Sequence, residues 1–246
     1  MHKFVTDIGV KRKENQDNGG YWDNGFYSLS ILCDGMGGHF GGSIASGIVI
    51  EHFAFMFNDI LPKTFHTIKF LQDWMISCIA KIKKTMKQKV ISNPHLLDMG
   101  TTLVAALINN KNQQLLVFNI GDSRAYLLGK SFKQITIDQN VSNHFIQKEG
   151  LSHKKATSLS NANKLTSSLG PNKRTKIDIY VIEPNIEYKM LILTSDGIHN
   201  YVEDTTFELI LNNNNFNINQ KAFELINNAK KNGSLDNLSI FIKELG

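Results

Sequence analysis

Three short apolar runs in this chain each end on an aspartate beside a glycine. Leu29-Ser30-Ile31-Leu32-Cys33 leads into Asp34-Gly35, Leu115-Leu116-Val117-Phe118-Asn119-Ile120 into Gly121-Asp122, and Leu191-Ile192-Leu193-Thr194-Ser195 into Asp196-Gly197. An apolar run of this length, bounded by a turn signal, reads as a core strand. A carboxylate at its end is costly to desolvate if nothing pairs with it. Several of them gathered at one sheet edge repel one another unless a cation lies between them. Oxygen-only donors suit a hard cation, Mg²⁺ or Mn²⁺, over zinc. The pattern therefore points to strands whose ends build a carboxylate site for divalent metal.

The remaining patterning sets the frame. Strand-like stretches lie at 27–33, 101–108, 114–120, 124–128, 177–182, 189–194 and 238–243, several of them joined by short polar turns such as Asn109-Asn110-Lys111-Asn112 and Gly129-Lys130. Short turns argue for antiparallel pairing over parallel crossovers. A helix carrying Ile44, Ala45, Ile48, Val49 and Phe53 is expected after Ser43, which is read as its cap. A longer helix over 68–90 has Ile68, Leu71, Met75, Cys78, Ile79, Ile82 and Met86 at three- and four-residue spacing. Two more helices are expected at 205–211 and 219–230, the second ended by Asn232-Gly233. Paired helices separated by meandering strands predict an α+β fold, an αββα four-layer sandwich of two antiparallel sheets flanked by helices. Residues 136–185 are polar, with one short helix at 141–149, and read as a flap insertion over a site.

Bulk properties exclude several classes. With 246 residues, no internal repeat and no long Pro/Gly/Ser linker, residues 1–246 are expected to form a single domain. The two cysteines, Cys33 in a strand and Cys78 in a helix, are read as reduced core residues. The N-terminal residues lack an apolar leader, and no run approaches the length of a membrane span, so a cytoplasmic protein without membrane association is expected. The formal net charge is +5, which raises the question of an anionic partner. The densest basic stretch, Lys81, Lys83, Lys84, Lys87 and Lys89, has helical spacing and no interleaved aromatics. It reads as a solvated helix face and not as a nucleic-acid surface.

The candidate acids are Asp17, Asp34, Asp122, Asp196 and Asp236, each in a turn-like setting. Carboxylates on rigid strand ends can hold two divalent ions at a fixed separation, where they clamp a phosphoryl group and activate a water. Arg12 lies five residues before Asp17, and its planar fork can bind two phosphate oxygens at once. The glycine-rich stretch Gly37-Gly38-His39-Phe40-Gly41-Gly42 lacks the Lys-Ser/Thr of a phosphate loop. It reads as backbone passing close to the metals, with the Gly35 carbonyl available as a ligand.

These segments together resemble the metal-dependent protein serine/threonine phosphatases of type 2C, the PPM family, in their bacterial form. The matching segments are Asp7-Ile8-Gly9 with Arg12 and Asn15-Gln16-Asp17; Asp34-Gly35-Met36-Gly37-Gly38-His39; Met99-Gly100-Thr101-Thr102; Gly121-Asp122-Ser123-Arg124; Leu165-Thr166 with Leu169-Gly170; Thr194-Ser195-Asp196-Gly197; and Asp236-Asn237. They occur in the family's order. The resemblance implies the αββα sandwich and two tightly bound Mn²⁺ or Mg²⁺ ions bridged by Asp34. Asp17, the Gly35 carbonyl, Asp196 and Asp236 would complete the shells, and Asp122 with Asp196 would hold a third, weaker ion. It implies that Arg12 binds the substrate phosphate and that a bridging hydroxide attacks phosphorus directly. The implied substrates are phosphorylated proteins, opposing a serine/threonine kinase, and the implied state is a monomer.

Three positions depart from the family pattern. Gln16 stands where many relatives have Glu, Met36 where eukaryotic relatives place a histidine, and Ser43 where an acid is common. The proton donor is thereby left open between His39 and a water, and His199 is read as incidental. Two other functions remain in view. One is a silent pseudophosphatase that binds phosphoproteins; the retained Asp34, Asp196, Asp236 and Arg12 argue against it. The other is a two-metal hydrolase of small phosphoesters, against which the flap and the ordered motifs argue.

Overall fold

The computed structural model describes residues 1–38, 40–185 and 187–245. Its strands are β1 (His2–Asp7), β2 (Asn18–Asp23), β3 (Tyr27–Cys33), β4 (Gly35–Met36), β5 (Gly100–Thr101), β6 (Leu103–Asn109), β7 (Leu115–Ile120), β8 (Arg124–Leu128), β9 (Phe132–Gln134), β10 (Asp178–Ile182), β11 (Met190–Thr194) and β12 (Leu238–Glu244). Its helices are α1 (Gly41–Phe55), α2 (Ile68–Ser92), α3 (Val141–Glu149), α4 (His153–Thr157), α5 (Asp196–His199), α6 (Asp204–Leu211) and α7 (Ile218–Lys231). Two five-stranded sheets run in the orders β1-β12-β11-β8-β9 and β10-β7-β6-β3-β2, and β4 and β5 form a two-residue ladder. Every pairing is antiparallel, as the short turns predict.

Strand alternation explains why the chain needs three apolar layers. In β3, Leu29, Ile31 and Cys33 point to one side and pack under α1 and α2 with Val49, Phe53, Met75, Cys78, Ile82 and Met86. Leu32 points the other way, into the space between the sheets, with Val104, Val117, Leu127, Leu193 and Phe241. On the far side Ile192, Ile240 and Ile242 meet Phe207, Leu225 and Ile226 of α6 and α7. Both faces of the central strands are therefore covered, which is why they read as nearly continuous apolar runs. Each large side chain buried this way contributes about 1.5–3 kcal/mol. Helices on both outer faces give the αββα order. Cys33 and Cys78 are buried free thiols. Among the described residues no helix is long and apolar enough to cross a membrane.

Caps set the helix bounds. The Thr67 hydroxyl accepts from the Phe70 N–H to start α2, Asn140 caps α3, which ends at left-handed Gly150, and Asn217 with Gln220 forms a capping box on α7. The expected Ser43 cap is not observed. Helix α1 begins at Gly41 with no side-chain cap, and the Ser43 hydroxyl instead donates to Glu14 Oε1 at 2.5 Å and back to the Phe40 carbonyl. The stretch between β9 and β10 carries α3 and α4. It is tied to the sandwich where Leu169 and Thr101 exchange backbone hydrogen bonds of 2.8 Å, and where Lys83 of α2 donates to the Lys173 carbonyl and to Thr175.

Candidate metal centre

The acids reach one end of the sandwich from both sheets. Asp17 precedes β2, Asp34 follows β3 and Asp122 follows β7, all in one sheet; Asp196 follows β11 and Asp236 precedes β12, in the other. The Asp34 backbone is held from two sides. Its N–H donates to the Thr102 hydroxyl at 2.9 Å, and its carbonyl accepts from Thr102 N and Thr101 Oγ1. Thr102 in turn shares a 2.6 Å hydrogen bond with Ser123, beside Asp122. The Gly100-Thr101-Thr102 and Asp122-Ser123 segments therefore fix the loop that carries Asp34. At Gly35 a side chain would overlap the backbone carbonyls of Gln16 and Gly42, so only glycine lets these three segments meet.

A cavity of about 540 Å³ opens at this end, lined by Arg12, Lys13, Glu14, Asp34, Gly35, Asp122, Asp196 and Asp236, with Asn163 and Leu165 as its wall on the 136–185 side. The electrostatics are those of carboxylates crowded out of water. Burial, then Asp17, Asp196, Asp122 and Asp236, push the Asp34 carboxyl well above its ordinary range. Burial lifts Asp122 to about 7, with Asp196 and Asp138 adding to it and Arg124 easing it. Asp196 is raised by burial and by Asp236. Asp17 sits behind the cavity, 7% exposed. Burial raises it to about 7, and Asp196 and Asp236 add to this, although the nearby Ser239 and Ser195 hydroxyls ease it. Neither Asp17 oxygen makes a hydrogen bond; the Ser239 hydroxyl donates to Thr6, while the Ser195 hydroxyl accepts from the Ser239 N–H.

Among the described residues no three His, Cys, Asp or Glu side chains already stand as a closed cage for a metal ion. The donor set nevertheless fits hard divalent cations, being all oxygen, mutually repulsive and, at Asp17, buried with unused lone pairs.

Arg12 reaches the cavity as expected, but its Nη2 donates to Asp236 Oδ2 at 2.6 Å. The loop at 8–17 is held by a residue that spacing alone did not single out. Asn237 accepts from Gln16 N at 2.9 Å and donates to the carbonyls of Ile8 and Glu14 at 2.9 and 3.0 Å. An Asn directly after the acid was its only signal. Gln16 donates to Glu14 at 3.2 Å. Gln139 was missed: it bonds to both backbone groups of Gly121 and to Asp178, tying the 136–185 stretch to the Asp122 loop. His199 is buried on Thr194 at 2.8 Å and held neutral, in keeping with a packing role. His39, the candidate proton donor, lies outside the described residues.

Comparison with known proteins sharpens the picture. Residues 10–239 match the model of the family described as Protein phosphatase 2C. The serine/threonine phosphatase stp of Listeria welshimeri is 32% identical over 249 residues, covering 99% of this chain and 96% of its own. Protein phosphatase PhpP of Streptococcus pneumoniae is 29% identical, covering 96% and 94%. The crystal structure of serine/threonine phosphatase Stp1 from Staphylococcus aureus superposes with a TM-score of 0.88 at 30% identity, covering 100% of this chain and 94% of that one.

Proposed function

The chain belongs to the protein phosphatase 2C family, whose members are metal-dependent phosphatases, and from that premise we propose how its own residues remove phosphate from phosphoserine and phosphothreonine in proteins. The observation that carries this reading is the gathering of Asp34, Asp122, Asp196 and Asp236 in one open cavity, with Asp17 buried and unpartnered behind it. In this reading Asp34 would hold two Mn²⁺ or Mg²⁺ ions together with Asp17, the Gly35 carbonyl, Asp196 and Asp236, and Asp122 with Asp196 would hold a third, weaker ion. When bound, the ions supply Lewis acidity, activating water and neutralising charge at phosphorus.

The chain's part is to hold, aim and exclude. Arg12 presents a planar fork to the phosphate oxygens, and Asn237 fixes the loop from which it projects. The Thr102 hydroxyl is occupied by Ser123 and the Asp34 N–H. Cys33 is buried, with its thiol pushed up by that burial. Neither is placed to act as a nucleophile, which is consistent with the direct attack by water that the family resemblance implies. Residues 1–246 act as one catalytic domain, with 136–185 as its flap. The substrates are products of a protein serine/threonine kinase, met by a monomer in the cytoplasm.

The test is phosphate release from a phosphothreonine peptide with EDTA, Mg²⁺ or Mn²⁺, alongside Asp196→Asn. Metal-dependent release that the variant lacks is expected. A folded protein that releases nothing with either metal refutes the reading in favour of a phosphoprotein-binding domain.

A further inference from the structure

The catalytic cavity has an acidic floor and a basic rim. Of the charged side chains that line it, Arg12 and Lys13 are the exposed ones, while the Asp236 carboxylate that pairs with Arg12 is about a third exposed. The guanidinium of Arg12 is engaged with Asp236. Lys13 makes no ion pair or hydrogen bond among the described residues, and neither does Lys11, which is exposed on the same loop. The carboxylate nearest in sequence, Glu14, has its oxygens taken by Ser43 and Gln16 and makes no ion pair with Lys13.

These cations are presented by a fixed loop. Asn237 binds it at Ile8, Glu14 and Gln16. Its first foot is pinned where Asp7 accepts from Gly9 N and from Lys230. Across the cavity stand Asn163 and Leu165, with the exposed Lys164 between them in the chain and no carboxylate beside them in sequence. A peptide whose phosphorylated side chain enters the cavity must lay its neighbouring residues along this rim. An unpaired ammonium on a rigid loop favours a carboxylate or second phosphate there and disfavours a cation.

We propose that Lys13, supported by Lys11, selects phosphopeptides with acidic residues beside the phosphorylated one. The proposal rests on the phosphatase reading above. It places a specificity determinant on the 8–17 loop, facing the flap.

Three phosphothreonine peptides that differ only in having Glu, Ala or Lys on both sides of the phosphothreonine test it, with the Mn²⁺-loaded full chain. KM is expected to rise in the order Glu, Ala, Lys. An exposed ion pair supports a step of about two- to fivefold, which narrows at high salt. Lys13→Glu should invert the order and Lys13→Ala should flatten it. Comparison is made within each protein, so a variant with a lower overall rate still reports. Equal KM values for the three peptides in the wild type overturn the proposal, as does the wild-type order persisting in both variants. If no peptide releases phosphate, the phosphatase reading itself has failed, and the proposal falls with it.

Discussion

Replacing Asp17 by asparagine removes a charge that the metal-free fold solvates poorly. Burial, reinforced by Asp196 and Asp236, lifts its carboxyl from the ordinary 3.8 to about 7. Between those values the folded protein keeps a proton that the unfolded chain has lost. Stability therefore falls as pH rises through that window and levels off above it. At about 1.4 kcal/mol per pH decade, a rise from 3.8 to about 7 means that ionised Asp17 costs the metal-free protein about 4 kcal/mol at pH 8. The amide recovers this, less about 1–3 kcal/mol for its own unpaired burial. The net effect is a gain of about 1–3 kcal/mol at alkaline pH, in a variant that has lost a proposed metal ligand. Urea unfolding in EDTA, at steps between about pH 4 and pH 8, reads it directly. The wild type should lose stability across the window while Asp17→Asn loses distinctly less. Saturating Mn²⁺ should reverse the ranking, because only the wild type then gains binding energy at this position. Parallel pH–stability curves for the two proteins in EDTA would refute the argument.

Arg12→Ala should raise KM for phosphopeptides about 10- to 100-fold by removing charge-assisted bonds to the phosphate; unchanged KM with a depressed kcat would assign Arg12 to the transition state alone. Asn237→Ala should cost about 2–4 kcal/mol, since three hydrogen bonds to the 8–17 loop go with it. That corresponds to a melting temperature lower by about 5–15 °C, and an unaltered melting curve would show that the loop holds itself. Gly197→Ala puts a methyl onto the Asn237 carbonyl. It should destabilise the protein by about 1–3 kcal/mol and weaken Mn²⁺ binding measured by calorimetry; wild-type binding would mean that the Asp236 turn yields without moving its acid.

The sequence was most readable where one physical cause dominates. Tyr27–Cys33 is buried on both faces and reads as a strand from its apolar run, and Val141–Glu149 carries its own Asn cap and left-handed glycine stop. It was least readable where tertiary contact overrides local signal. β2 contains Gly19-Gly20 and is a strand only because β3 pairs with it. Ser43 looks like a cap, yet its hydroxyl serves Glu14, because the 8–17 loop arrives beside it. The acids were visible because unpaired carboxylates at strand ends are anomalous. Asn237 and Gln139 act through backbone partners far away in the chain, and no local pattern announces such a partner. The Arg12–Asp236 pair was likewise beyond reach, since it joins the two ends of the chain.

Three of the acids hang from one sheet and two from the other. A cation held among them would therefore clasp the seam of the sandwich, and without it the like charges would favour local opening where the loops meet. Proteases act on such transient openings in proportion to their population. If the proposed ions are bound at the seam, limited proteolysis should run faster in EDTA than in Mn²⁺, and equal rates would refute the clasp.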